Sequence, residues 1–218
     1  MKRGKRTWKE LSDRQKLLRI ALAVAGALLA LLLLTGALWL VSSLLSGRSV
    51  QEYSGSFYEA DYDRNILEDP AYQRLDRSVR YLEYDSGEPL TEENYRTLGV
   101  ASAFFYEYFD AVIRGDCDTY RSFLTPYYIK EFDPPERFTM QMLYDIEVNR
   151  TQRPSTAEFQ GRTVTVHYFS VKYKIFENNG TFRKDVGSNI STTQYYELYD
   201  LGDGQIYLNA TSNRQMVR

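Results

Sequence analysis

The chain has 218 residues, 43% hydrophobic and 26% charged, with 27 Lys and Arg, 29 Asp and Glu, one His and one Cys. The charge is unevenly placed: residues 1–19 carry eight Lys and Arg against Glu10 and Asp13, a net of +6, which leaves 19 basic and 27 acidic residues, a net of −8, for the rest. An acidic body excludes nucleic acid as an expected partner, because that needs clustered positive charge. A single Cys and a single His exclude an internal disulfide and a His/Cys metal centre, so neither a metal nor a cofactor is expected.

Residues 1–19 read as a basic stub, and residues 20–46 as an uninterrupted apolar run. The 26 residues from Ile20 to Leu45 contain no charge. As a helix they would rise about 39 Å, against a hydrocarbon core of about 30 Å. The run exceeds the apolar core of a signal peptide, and no A-x-A-like site follows it, so an uncleaved single-pass anchor is expected. The basic flank then predicts a cell-membrane protein with a cytoplasmic N-terminus and an extracytoplasmic C-terminal domain. The membrane is on this reading one partner.

Residues 47–90 are polar, acidic and dotted with Tyr, and read as a stalk or linker. Leu75, Val79 and Leu82 recur at helical spacing and predict a short helix near its end. Asp61, Asp63 and Asn65 resemble the opening of a calcium loop. The pattern fails at Ile66, where Gly is needed, and at Tyr72, where a bidentate Glu belongs.

Residues 91–218 are expected to fold. Thr91 followed by Glu92 and Glu93 is a helix start, and Leu98, Ala101, Phe105, Phe109 and Val112 mark one face of the helix that follows. Gly115 ends it, Asp116 caps a second short helix, and Thr125-Pro126 opens a third. After Pro135 the period changes to two. Met142, Tyr144, Ile146 and Val148 alternate with polar residues. A longer strand from Thr163 to Phe176 slips phase near Phe169-Ser170, so it either carries a bulge or buries opposite faces at its two ends. Asn179-Gly180 reads as a tight hairpin turn, and Asp203-Gly204 as the turn of a last hairpin.

The segment ASAFFYEYFDAVIRGDCDTYRSFLTPYYIKEF resembles the opening of the nuclear-transport-factor-2-like (cystatin-cone) families. There a long helix, a Gly-Asp turn, a short helix with an aromatic and an "LTPxY"-like stretch follow one another. Here these are Phe104 to Ile113, Gly115-Asp116, Tyr120 to Leu124 and Thr125 to Tyr128. The resemblance implies an α+β fold in which a cone-shaped, curved antiparallel sheet packs on a long helix. Behind one N-terminal span, that architecture is similar to extracytoplasmic domains of conjugation and type IV secretion components.

Enzymes that use this fold place an Asp or His base and a Tyr donor inside the cone. The residue types are supplied by Asp145 with Tyr144, by Asp110 with Tyr108, and by His167, which lies on the face opposite Val164 and Val166. Cys117, in the first turn of a short helix, is a further reactive-residue type. No catalytic motif joins them, and the 19 Tyr suit strands and protein interfaces alike. The expected function is therefore a protein-interaction or assembly module, not an enzyme, contacting other envelope proteins or itself as a homo-oligomer. The alternative is a small-ligand binder or an isomerase- or dehydratase-like enzyme using the cone pocket.

Overall fold

Gly115, in the left-handed region at φ 67°, closes the longest helix, α1 (Val100–Arg114), by donating its N–H to the carbonyls of Ala111 and Val112. The chain turns there directly into α2 (Cys117–Ser122), where the Asp116 carboxylate accepts from Thr119 N–H. Thr125 then caps α3 (Pro126–Phe132), accepting from Tyr128 N–H, with Pro126 in the first turn where no hydrogen bond is lost. In the computed structural model the described residues are 53–216, together with Leu22, Val24 and Gly26. Residues Glu52–Arg218 make up one compact unit.

Seven strands complete that unit: β1 (Val79–Glu83), β2 (Ser86–Pro89), β3 (Leu143–Arg150), β4 (Ser155–Phe159), β5 (Arg162–Ile175), β6 (Gln194–Asp200) and β7 (Ile206–Ser212). They form a single sheet in the order β2-β1-β3-β5-β6-β7, and β4 pairs with β5 beside this path. The α1 stripe of Phe104, Phe105, Tyr108, Phe109 and Val112 packs on one face, against Phe169, Val171, Tyr173, Ile175 and Leu198 among others. On the opposite face a smaller cluster gathers Val164, Val166, Tyr168 and Tyr199, with Met216 of the C-terminal tail against it.

The phase slip in β5 is thereby resolved. Its pairing with β6 runs without a register shift from Thr165 to Val171, and its two ends bury opposite faces of the sheet. The irregularity sits instead in β3. The register with β5 shifts between Tyr144 and Glu147, and Asp145 takes a positive φ of 50°. That bulge brings Leu143, in place of Met142 and Tyr144, onto the helix side with Ile146 and Val148, while Met142 packs with Ile66 and Tyr72.

The expected fold class needs correction in several respects. The fold is α+β, but the sheet is mixed, because β1 runs parallel to β3 from Val79↔Ile146 to Glu83↔Arg150. The antiparallel cone expected from the resemblance left no place for this strand. The helices are three and short among the described residues, with 15, 6 and 7 residues. The helix expected to begin at Thr91 is broken at Gly99, whose φ of 113° no helix contains. Leu98, expected on its buried face, is consequently exposed.

The segment read as a stalk contributes structure too. Two 3₁₀ turns, Ile66–Glu68 and Tyr72–Arg74, lead into β1 and β2, so Val79 and Leu82 lie on a strand and not on a helix. Tyr72 is fully buried and donates its hydroxyl to Leu143 O at 2.8 Å. No two-residue hairpin forms at Asn179-Gly180. A loop from Phe176 to Thr193 joins β5 to β6 and is tied inside by Asn178, which donates to the carbonyls of Arg183 and Val186.

The membrane span expected over residues 20–46 lies outside the described residues, apart from the three named above. Among the described residues no helix is long and apolar enough to cross a membrane. The longest, α1, has 15 residues and rises only about 22 Å, short of the roughly 30 Å required, and it carries Glu107, Asp110 and Arg114. The transmembrane-helix, single-pass and cell-membrane assignments are corrected accordingly.

Candidate functional site

Strand register assembles one polar cluster on the helix side of the sheet. Glu83 stands opposite Arg150, Arg150 opposite Phe169, and His167 opposite Leu198, so Arg150, His167 and Asp200 sit on successive diagonals. Arg150 is the hub. Its Nη1 donates to His167 Nδ1 at 2.8 Å, its Nε to Glu83 Oε1 at 3.1 Å and its Nη2 to the Tyr81 hydroxyl at 3.3 Å. The guanidinium also lies over the Phe169 ring, 4.8 Å from its centroid.

Because Arg cannot accept a hydrogen bond, the Nδ1 of His167 must be the acceptor, and the neutral ring carries its proton on Nε2. That Nε2 is buried without a hydrogen-bond partner, with Asp200 Oδ2 3.5 Å away. Burial first, and the Arg150 charge second, hold the His167 pKa below its ordinary value, while Asp200 and Glu83 pull the other way. Burial likewise pushes the Tyr81 phenol up to about 12. A ring with one nitrogen occupied by Arg150 and the other protonated has no free lone pair for a substrate proton.

The other candidate residues lie elsewhere. Asp145 is exposed at the β3 bulge and pairs with Lys174 Nζ at 2.8 Å, and Tyr144 donates to Asn189 Oδ1. Asp110 is on the exposed side of α1, where it binds Arg114 Nε at 2.8 Å. Tyr108 is buried on the other side of the same helix. Cys117 is tucked against the chain after α3, with Phe138 N–H donating to its Sγ at 3.3 Å. None of these five meets the His167 cluster.

The space between α1 and the sheet is filled with rings. Phe105 packs edge-on against Phe169 with centroids 4.9 Å apart, and Tyr108 stacks on Phe104 at 5.4 Å. Tyr173 and Tyr196 reach the same interior from β5 and β6, meeting Phe109 and Tyr108. Burial raises the phenol pKa of Tyr108, Tyr120, Tyr173 and Tyr196, so they are protonated at neutral pH. The loop after β5 seals one end: Arg183 Nη1 donates to the Tyr173 hydroxyl at 3.3 Å, while its Nε and Nη2 fork onto the Asp185 carboxylate.

Open space lies at the surface. A cleft of about 200 Å³ beside Tyr58, Arg64, Gln141 and Glu177 has its one arginine already bound to Asp69 and Glu177. A broader groove of about 490 Å³ runs between the start of α1, the end of α2 and the β6–β7 turn.

The Arg150 cluster escapes sequence reasoning because its members are separated in the chain and adjacent only through strand register, and the Arg183 cluster because loop closure alone sets Arg183 and Asp185 against Tyr173. No protein-family model, curated protein or solved structure matches the chain.

Proposed function

We propose that the folded unit is a protein-interaction module, acting by contact as part of an assembly with another protein or with a second copy of itself. The observation that supports this most is the aromatic filling between α1 and the sheet. A ligand carrier or an enzyme of the expected type needs an open interior with polar groups pointing inward. Here Phe104, Phe105, Tyr108, Phe109 and Phe169 occupy that space, each no more than 2% exposed. The scattering of Asp110, Tyr144, Asp145 and His167 supports the same reading, since each is engaged by its own local partner. The nuclear-transport-factor-2-like relationship belongs to the same proposal, carried by the order of α1, its Gly-Asp turn, α2 and the Thr-Pro start of α3.

Crosslinking of the full chain in its own cells, at native abundance, tests this. The expected product is one defined adduct, with itself or with a single partner, which excess purified protein competes away. A chain that yields only uncrosslinked monomer under conditions that trap a known complex would contradict the proposal.

A further inference from the structure

His167 is the chain's one histidine, it is 9% exposed, and one of its two nitrogens has no hydrogen-bond partner. The charged and titratable groups that face it come from three strands: Arg150 from β3, Tyr81 and Glu83 from β1, and Asp200 from β6. The neutral ring is built into this cluster as an acceptor for Arg150, and an imidazolium cannot play that part, because both of its nitrogens donate. A carboxylate stands ready at 3.5 Å on the other side of the ring.

We propose that His167 is an acid-sensitive latch for the β1–β2 hairpin. A proton taken from solvent onto Nδ1 breaks the Arg150 Nη1–H···Nδ1 bond, and the imidazolium then donates its Nε2–H to Asp200. Arg150, now 2.8 Å from a like charge, must withdraw. The same guanidinium braces Tyr81 and Glu83, so β1 loses side-chain support at the strand that joins the hairpin to β3. What remains on that side is the parallel backbone ladder, the core packing of Val79 and Tyr81, and the contact between Asn149 and Asp85. Parallel pairing is the less stable kind per residue, which makes this junction the place where the sheet would loosen. The latch holds at neutral pH and opens in acid. The burial and charge effects that depress the His167 pKa place the opening below the ordinary histidine value of about 6.5.

Since there is one histidine, every imidazole signal of the full chain reports on the latch. Two readouts are followed together from about pH 7.5 to about pH 5: the ring titration by NMR, and amide hydrogen exchange of β1, corrected for intrinsic rates. Exchange at Tyr81–Glu83 is expected to quicken by about tenfold with the same midpoint as the ring, while β6 and β7 stay unchanged. His167→Asn keeps a carbonyl acceptor for Arg150 and removes the titration, so it should abolish the acid response. Arg150→Leu should raise the midpoint of the ring.

Exchange in β1 that ignores pH, or that responds with a midpoint different from that of the ring, would overturn the latch. So would an acid response that survives in a folded His167→Asn protein. A neutral ring found to carry its proton on Nδ1 would contradict the geometry itself. Should His167→Asn fail to fold, coincidence of the two wild-type midpoints still decides the matter.

Discussion

At the scale of single residues, the strongest constraints come from side chains packed where no substitute fits. Phe105 has no measurable exposure and touches Phe104, Phe109, Phe169 and Tyr196. Phe105→Asp puts a charge there without a partner, at a cost of several kcal/mol, enough to unfold a domain of ordinary stability. Thermal melting of the variant should show no cooperative transition near that of the parent. Melting within a degree or two of the parent would mean Phe105 is not core. Gly115 is constrained by backbone and space at once: its φ is 67°, and a Cβ would come 2.8 Å from Met140 N. Gly115→Ala should therefore lower stability by more than the roughly 1 kcal/mol expected from left-handed strain alone, read as a drop in the denaturant midpoint.

At the scale of elements, the helix ends around Gly115, Asp116 and Thr125 were legible, the start expected at Thr91 and the helix expected near Val79 were not, and the sheet was only partly so. Asp116, Thr125-Pro126 and Gly115 announce ends through local chemistry that needs no tertiary partner, and the structure uses all three. Strand β1 left no such signal. Its five residues bury Val79, Tyr81 and Leu82, a pattern that serves both faces and has no period of two, and its partner β3 lies more than 60 residues away. The hairpin expected at Asn179-Gly180 fails for a comparable reason. Asn178 satisfies backbone carbonyls across a long loop, and that loop carries Arg183 to Tyr173, an outcome fixed by tertiary contacts.

The Arg183–Asp185 fork suggests a test at this scale. Removing one partner of a buried pair leaves the other uncompensated, at about 3–5 kcal/mol. Asp185→Ala should destabilise by that order in equilibrium denaturation, and the β5–β6 loop should become the first segment cut by protease. The candidate site followed the same division. His167 was visible as the one histidine on a strand, but Arg150, its partner, is set beside it by β3–β5 register alone.

At the scale of the whole molecule, pH acts on stability through the one histidine. The folded-state pKa of His167 lies below that of the unfolded chain, so between the two values the unfolded state binds more protons. Stability should be full above about pH 6.5, fall as pH drops from there toward the folded-state pKa, and level off in this contribution below it. Denaturation midpoints of the wild type and His167→Asn should diverge across that window and run parallel above it.

The central claim, that this unit acts by contact and not by chemistry, meets its most direct test in one combined variant. Asp110→Asn, Tyr144→Phe, Asp145→Asn and His167→Asn together remove every acid, base and phenol donor that residue type made a candidate, apart from Tyr108, which is buried in the core. Each lies at an exposed position or keeps a hydrogen-bonding group, apart from the phenol of Tyr144. The variant replaces the natural chain in cells held at neutral pH, where His167 is uncharged, beside a strain lacking residues 52–218. The account predicts that the fourfold variant keeps the crosslinked adduct and the cellular phenotype of the natural chain, and that the truncated strain loses both. A fourfold variant that melts like the natural protein yet behaves like the truncation would contradict it.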